Sequence, residues 1–491
     1  MCRAVAWILA VGFTTHAHAA GIVNLGQATA RSISGGAGGA GVGVPNLGVS
    51  PQQALQASQP SIRNLGTAAQ AIASQIAAQQ SAAAAAAATA SNVPNGLTPG
   101  GLQVAPGITF APDKNGNMVS QNTDTNNAVL WINANQPTQS VASNGHVNVD
   151  IHQTAQNAVL TWQTMNVGRQ TTLNFDQSAG TQSNGANNWA VLNRINDPSG
   201  KPSQILGNMT AQGAVYVINR NGILFGAGSQ INVHSLVASS LSLLDTKNEP
   251  GPQSAAGIVA SNQLFLNVLP GVSGGLANPE AGSSSNIPSA SGVPNEILGL
   301  GAQTIPLGPY QAPGDITIQP GASITTHTNG NASDGGFVMV AAPNVTNGGS
   351  ITATAGQVVL AAGVGVSVTP NKGATNNPQV LLPELSGQVI SVQNGSNVDI
   401  TPAGTLTNTG IVQAARGNVN LLGSRVAQNG VVGVTTSVNT PGSINISTVD
   451  EYDSNNPLQQ TYPGFTTVVG NGPGVAINAH RAGLLDRKSV V

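Results

Sequence analysis

The amino-acid sequence predicts an all-β fold in which short strands stack in parallel along one axis as a β-helix, or solenoid. Three observations favour this fold. Only 7% of the 491 residues are charged and 3% are aromatic, while 61 are glycine. Short segments with alternating apolar and polar residues are separated by turns that contain glycine or asparagine. One sequence unit also recurs about every 20 residues, as a solenoid rung requires.

The low charge content favours parallel stacking. A solenoid places similar residues above one another, so ladders of Asn, Ser, Thr and Val are favourable whereas ladders of one charge repel. The 15 basic and 17 acidic residues give a formal net charge of −2. This balance supplies no basic surface for nucleic acid or for an anionic membrane, so we exclude both partners.

Residues 1–19 are predicted to be a secretory signal peptide. Arg3 is followed by an apolar run over 4–13 and then by small residues ending in Ala17-His18-Ala19. The run is too short for a membrane-spanning helix, which needs about 20 residues. Cleavage would remove Cys2, the single cysteine of the chain, so the mature protein is predicted to be exported without disulfides.

Residues 20–94 are predicted to be a low-complexity extension. Glycine, serine and proline make 20–64 irregular, whereas the alanine- and glutamine-rich segment 67–90 is predicted to form one helix, because alanine is the best helix former. This helix is one candidate for capping an open strand edge. Glycines at 36–41 match the letters of a dinucleotide fingerprint but lack its flanking strand and helix, so we predict no nucleotide site.

Strand patterns begin beyond residue 100 and define a first β-rich block over 95–250. Segments 147–151 and 215–218 alternate with period two, and we find no helical pattern of ten or more residues between strands. Successive strands are therefore joined by turns alone. Residues 251–314 are predicted to be a Pro/Gly/Ser-rich loop with one candidate strand at 264–269.

Residues 315–448 are predicted to be a further β-helical shaft. The spacings from Asn347 to Leu360 and from Asn408 to Leu421 are both 13 residues, within similar surroundings. A further unit begins at Asn429, 21 residues after Asn408. Residues 449–491 show no comparable strand pattern and are predicted to be an irregular tail.

An ordered series of motifs in residues 128–243 resembles the two-partner-secretion, or haemagglutination-activity, domain of the filamentous haemagglutinin family. The motifs are IHQT (151–154), LTWQTMNVG (160–168), LNF (173–175), AVLNRI (190–195), SQILG (203–207), AQGAVYVINRNGILFG (211–226) and INVHSLVASSL (231–241).

The resemblance implies a right-handed β-helix that is recognised in the periplasm by a dedicated outer-membrane barrel transporter through its POTRA modules. It implies a secreted or cell-surface protein, with the remaining shaft serving adhesion to a host-cell or carbohydrate receptor. The family motif Asn-Pro-Asn-Gly-Ile appears here with Arg220 in place of proline, and no Asn-Pro-Asn-Leu follows. We expect the turn itself to be kept by the Asn-Gly pair after Arg220.

The resemblance also points to residues of the asparagine-containing turns as candidates for transporter recognition. Buried asparagine ladders that satisfy backbone groups explain the same residues equally well. The candidates are Asn166, Asn193, Asn219, Asn221 and Gly222.

The alternative function is a β-helical protein that binds carbohydrate or degrades polysaccharide. Asp150 and His152 are two residues apart on a strand and so share a face, as acid–base catalysis requires, but an isolated solvated pair is more common. His234 is interpreted as an exposed strand histidine. We therefore predict no catalytic, metal or cofactor site.

Two further groups of residues are interpreted structurally. Acidic residues that could hold a cation lack a calcium-type loop; they are Asp113, Asp124, Asp450, Glu451 and Asp453. Trp162 and Trp189 are predicted to fill the core or an end of the β-helix. A cluster of carboxylates in a groove would favour the carbohydrate alternative, and a smooth Asn/Thr/Ser surface would favour secretion and display.

Overall fold

The structure is a computed structural model of the chain. It describes residues 93–185, 187–243, 255–266, 296–299, 313–328, 336–353, 356–363, 365–370, 381–385, 404–415, 418–423, 425–435, 443–448, 469–471, 476–480 and 484–487, and the single positions 73, 77, 80 and 81. The predicted signal peptide lies outside the described residues. Of the predicted helix 67–90, the four single positions are helical and exposed.

The described residues form 34 strands and one well-defined helix. The first half of the chain contains β1 (Leu102–Val104), β2 (Phe110–Pro112), β3 (Met118–Ser120), β4 (Trp131–Ile132), β5 (Thr138–Val141), β6 (Val147–His152), β7 (Asn157–Met165), β8 (Thr171–Asp176), β9 (Ala190–Ile195), β10 (Ser203–Ile205), β11 (Asn208–Ala211), β12 (Ala214–Asn219), β13 (Ile223–Phe225), β14 (Gln230–Val233), β15 (Ser235–Ser239) and β16 (Ser242–Leu243). A 3-10 turn covers Ser178–Gly180.

The second half begins with the helix α1 (Ala255–Phe265). It continues with β17 (Glu296–Gly299), β18 (Ile316–Ile318), β19 (Ser323–Thr326), β20 (Phe337–Ala342), β21 (Val345–Asn347), β22 (Ser350–Ala353), β23 (Gln357–Ala362), β24 (Gly365–Pro370), β25 (Leu381–Leu385), β26 (Thr405–Asn408), β27 (Ile411–Ala415), β28 (Asn418–Gly423), β29 (Arg425–Gln428), β30 (Val431–Thr435), β31 (Ser443–Thr448), β32 (Val469–Asn471), β33 (Ala476–His480) and β34 (Leu484–Arg487).

The strands stack into three parallel faces. Face 1 runs β6-β8-β11-β14-β19-β22-β27-β30-β32, face 2 runs β7-β9-β12-β15-β20-β23-β28-β31-β33, and face 3 runs β10-β13-β18-β21-β26-β29-β34. Neighbouring strands within each face pair in parallel. A regular rung passes through face 1, face 2 and face 3 in turn, so the predicted parallel β-helix is confirmed.

Antiparallel strands close the N-terminal end of the stack. Strands β1 and β4 pair with β7 on face 2, and β5 pairs with β6 on face 1. The hydrogen-bonding edge of the first rung is therefore occupied by the residues that precede it, which protects it from pairing with another chain.

The repeat predicted for the shaft is present in the register. Asn347 pairs with Asn408, and Leu360 pairs with Leu421. The next rung places Gln428, rather than the predicted Asn429, opposite Asn408. The period between these two rungs is therefore 20 residues.

The main core fills the interior of the β-helix. On face 1, buried residues such as Val149 and Ile151 alternate with half-buried Asn148 and Asp150, as a strand with one solvated side requires. Face 2 differs because its strands β9, β20, β23 and β28 are buried along their whole length. A second apolar cluster on the outer side of face 2 includes Leu192, Tyr216 and Phe265 of α1.

Two predictions about irregular segments differ from the structure. The segment 251–314 contains the helix α1, and the candidate strand at 264–269 is wrong for Leu264 and Phe265, which end that helix. The apolar residues were misinterpreted because Phe265 and Leu266 are buried against face 2 and not within a rung. The tail 449–491 contains β32, β33 and β34, which pair with the preceding rung.

Among the described helical residues, no helix is both long and apolar enough to cross a membrane.

Candidate functional site

Asn193 lies in the interior of the β-helix. It stands on β9 in register between Leu160 and Val217, so one polar side chain interrupts an aliphatic stack. Its Oδ1 accepts a hydrogen bond of 2.9 Å from the indole Nε1 of Trp162, and its Nδ2 donates one of 3.1 Å to the carbonyl oxygen of Tyr216. The side chain is 0% exposed. Asn193 therefore satisfies buried polar groups in the folded domain.

The turn between β12 and β13 contains three of the candidate residues. Asn219 is buried; its Nδ2 donates to Ser203 Oγ at 2.9 Å, and its Oδ1 accepts from the backbone N–H of Asn221 at 3.0 Å. Gly222 has a φ of 98°. A Cβ at this position would lie 2.4 Å from the carbonyl oxygen of Asp315 on the next rung. The turn thus requires glycine for both conformation and space.

Arg220 occupies the position where the family motif has proline. The backbone N–H of Gly222 donates to the carbonyl oxygen of Asn219 at 2.9 Å, so the turn closes with arginine at its second position. The carbonyl oxygen of Arg220 accepts from Gly314 at 2.7 Å, which ties the turn to the next rung. Proline is therefore not needed to form this turn.

Asn166 and Asn221 are half-buried and keep accessible surface. Asn166 Oδ1 accepts from the backbone N–H of Gln204 at 2.7 Å, and its Nδ2 donates to the carbonyl oxygen of Gly100 at 3.0 Å. Asn221 Nδ2 donates to the carbonyl oxygen of Asp197 at 2.8 Å. Of the five candidates, these two are the ones whose side chains a partner could contact directly in the folded domain. The role of all five in transporter recognition stays a prediction.

Asp150 and His152 share the outward side of β6, and each is bonded to the next rung. Asp150 Oδ1 accepts from Asn174 Nδ2 at 3.0 Å, and His152 Nδ1 lies 2.9 Å from Asp176 Oδ2. Burial raises the pKa of Asp176, but hydrogen bonds from Ser178 and His152 outweigh it and lower the pKa below its ordinary value. The two side chains therefore join β6 to β8, the strand of the next rung on face 1.

His234 is buried, so its interpretation as an exposed strand histidine is wrong. It is 4% exposed, and its Nδ1 lies 2.9 Å from the carbonyl oxygen of His327. The two imidazole rings are 6.0 Å apart. Burial and the nearby His234 lower the pKa of His327. The side chain was misjudged because the corner between face 1 and face 2 encloses it, which a strand pattern does not reveal.

The acidic residues considered as cation ligands organise their own turns. Asp113 Oδ1 accepts the backbone N–H groups of Asn115 and Asn117, each at 2.8 Å, and Asp124 Oδ1 accepts that of Asn126 at 3.0 Å. The hydrogen bond from the Asn117 backbone is the main cause that lowers the pKa of Asp113. Within the described ranges no three His, Cys, Asp or Glu residues come together as metal ligands would. Residues 450–453 lie outside these ranges.

The two tryptophans singled out in the sequence occupy different environments. Trp162 is fully buried in the interior, where its ring meets that of Trp131 edge-on with centroids 5.0 Å apart. Trp189 is half-buried and covers Gly180, where a Cβ would lie 2.3 Å from the indole ring. Trp162 therefore fills the core as predicted.

Buried Arg194 and the pair formed by Gln153 and Gln177 were missed in the sequence. Gln177 Nε2 donates to Gln153 Oε1 at 2.9 Å, and Gln177 Oε1 accepts from the backbone N–H of Gly213 at 2.7 Å, so the two amides join three rungs. Arg194 lies within the motif AVLNRI. The strand pattern predicts the side of the sheet on which the Arg194 side chain lies, but it does not predict that a helix covers that side. In the sequence, the segment around Arg194 was singled out only by its resemblance to the two-partner-secretion domain.

Part of the chain, which includes most of the first block, is similar to known proteins. Residues 130–286 match the family model described as the TPS secretion domain. A "Heme/hemopexin-binding protein" of Haemophilus influenzae is 34% identical over 94 residues, which are 19% of this chain and 9% of that protein. The crystal structure of the HMW1 secretion domain from Haemophilus influenzae aligns with 19% identity and a TM-score of 0.41, over 65% of this chain and 62% of that chain.

The aligned part is thus a small fraction of the curated relative. The family match includes the segment that carries the motifs of the resemblance, and it extends from β4 through the helix α1. The match confirms the resemblance of this segment to a two-partner-secretion domain.

Proposed function

We propose that residues 95–250 direct export of this chain by a dedicated outer-membrane barrel transporter, which recognises them in the periplasm through its POTRA modules. The observation that carries the proposal is the match of residues 130–286 to the TPS secretion domain. A TPS domain implies a partner transporter in the outer membrane. The matched family is a secretion domain and not an enzyme family.

The order of pairing in the fold suits a chain that emerges gradually and folds outside. Strands β1, β4 and β5 pair with the first rung, and each later rung pairs with the one before it. Folding can therefore proceed from the N-terminal end one rung at a time, because each added rung finds its hydrogen-bonding partner already formed. Such stepwise folding would bias movement of the chain outward.

The remaining β-helix supports a role in display or adhesion. Its outward side on face 1 carries hydroxyls and an amide, at Ser323, Thr325, Thr352 and Gln413. The match to a secretion domain favours secretion and display over the polysaccharide-degrading alternative. The heme or hemopexin binding named for the curated relative is not extended to this chain, because the shared segment is small.

The experiment expresses the full chain with and without the partner transporter and measures the protein in the periplasm, at the cell surface and in the medium. We expect the protein outside the cell only when the transporter is present. Equal export without the transporter would contradict the proposal.

Two variants test the surface candidates within that assay. Asn166→Ala and Asn221→Ala remove half-buried side chains at turns, and we expect each to reduce export. Asn148→Ala is the matched control, because Asn148 is also half-buried but lies on the open side of face 1. Unchanged export of both turn variants would remove Asn166 and Asn221 as recognition residues without affecting the role of the domain.

A further inference from the structure

Arg194 lies on the outer side of face 2, beneath the helix α1. In the sheet it is in register between Thr161 and Ile218, and 6% of the residue is exposed. Its Nε donates to Oδ1 of Asn262, and its Nη2 donates to Oγ of Ser261 at 2.5 Å. Both contacts join β9 to α1.

The charge of Arg194 is not balanced by its bonded partners. Burial lowers the pKa of Arg194 to about 10, so the guanidinium is still protonated at neutral pH. Asn262 and Ser261 are neutral, and the one ion pair among the described residues joins His152 to Asp176 instead. A buried cation is costly unless a negative charge accompanies it.

Asn262 supplies a second donor beside this cation. The residue is 0% exposed, and its Oδ1 is used by Arg194. Its Nδ2 is buried and has no hydrogen-bond partner among the residues that the structure describes. The hydroxyl of Ser261 is already engaged, since it donates to the carbonyl oxygen of Ile258 at 3.0 Å. The Asn262 amide thus lacks an acceptor, and the neighbouring guanidinium lacks a counter-charge among the residues that the structure describes.

The surroundings are apolar. The outer cluster of face 2 includes Leu192, Tyr216, Ile218 and Phe265, and the rings of Tyr216 and Phe265 meet edge-on at 5.2 Å. An ion held here is shielded from water, so its attraction to the guanidinium is stronger than at the surface. One positive charge on the guanidinium and one amide donor suit a ligand that carries one negative charge.

We propose that Arg194 and Asn262 bind a small monovalent anion, with chloride as the ligand, at the junction of β9 and α1. The anion accepts from the guanidinium and from Asn262 Nδ2, and it neutralises the buried charge. It thereby stabilises the docking of α1 on face 2. The site lies on the outside of the β-helix and is separate from the candidate recognition turns.

The test measures thermal unfolding of the secreted full chain as chloride replaces gluconate at constant ionic strength. A ligand that binds only the folded state lowers the unfolding equilibrium constant about tenfold for each tenfold rise in concentration above its dissociation constant. We expect this dependence in the wild type and its loss in Arg194→Met. Arg169→Met, which removes an exposed arginine, should keep the dependence and so controls for general salt effects.

Asn262→Asp keeps the test decisive if Arg194→Met fails to fold. This substitution places a carboxylate next to the guanidinium, so we expect a folded protein whose unfolding no longer depends on chloride. We also expect the wild type to broaden the chloride-35 resonance, and we expect Asn262→Asp not to broaden it. Equal unfolding of the wild type in chloride and gluconate, without line broadening, would show that another group balances Arg194 and would overturn the proposal.

Discussion

The indole Nε1 of Trp162 donates a 2.9 Å hydrogen bond to Oδ1 of Asn193, inside a stack of otherwise aliphatic residues. The same amide donates from Nδ2 to the carbonyl oxygen of Tyr216. One side chain therefore satisfies a donor and an acceptor on two neighbouring rungs. This accounts for a polar residue in the interior without reference to any partner.

We expect Asn193→Ala to lower the free energy of unfolding by about 3 kcal/mol, because it leaves two buried polar groups unpaired and creates a cavity. Asn148→Ala on the open side of face 1 should change it by less than about 0.5 kcal/mol. Urea unfolding of the secreted protein measures both. A cost for Asn193→Ala as small as that of the control would contradict the role assigned to this amide.

The shaft contains a second buried ladder of amides. Asn347 Nδ2 donates to Asn408 Oδ1 and Asn408 Nδ2 donates to Gln428 Oε1, both at 2.8 Å. We expect Asn408→Ala to cost about 3 kcal/mol and Gln428→Ala about 2 kcal/mol, because removal of Asn408 leaves three partners unsatisfied and removal of Gln428 leaves two. Unfolding of the single variants and of the double variant Asn347→Ala/Asn408→Ala measures these costs. The double variant should cost less than the sum of its single variants.

Gly222 and Gly228 form a matched pair for testing the turn between β12 and β13. Both have positive φ, 98° and 90°, but a Cβ at Gly222 would lie 2.4 Å from Asp315 O whereas one at Gly228 meets nothing within 4 Å. We expect Gly228→Ala to cost about 1 kcal/mol of backbone strain, and Gly222→Ala to cost more because the next rung must also shift. Thermal unfolding compares them. Equal costs would mean that the rung contact is unimportant.

His327 should make stability depend on pH. Its pKa is lowered by burial and by the charge of His234, and its ring also faces Asn232 Oδ1 and the carbonyl oxygen of Gln212. Because the folded state binds a proton less readily than the unfolded state, protonation favours unfolding. Stability should therefore fall as the pH drops below about 6.5, the unfolded value, and level off below the folded pKa.

His327→Gln tests this by removing the titrating group. We expect the loss of unfolding free energy between about pH 7.5 and about pH 5 to be smaller in the variant than in the wild type. Urea unfolding at each pH measures the difference. An identical pH profile for the two proteins would show that His327 does not contribute.

The sequence by itself determined the stacking of the chain. The spacing from Asn347 to Leu360 and from Asn408 to Leu421 predicted two rungs that the structure pairs in register. Local alternation predicted the strands around 147–151 and 215–218, which belong to β6 and β12. These features are readable because adjacent rungs repeat the same inward and outward pattern along the chain.

The tertiary structure decided what covers the stack. The helix α1, the burial of Arg194 and His234, and the strands of the tail depend on contacts between residues far apart in sequence. Alternation shows which residues point outward from a rung, but not whether another segment lies on them. Burial of Asn193 was likewise undecided from the sequence, because an interior ladder and a recognition turn use the same residue type.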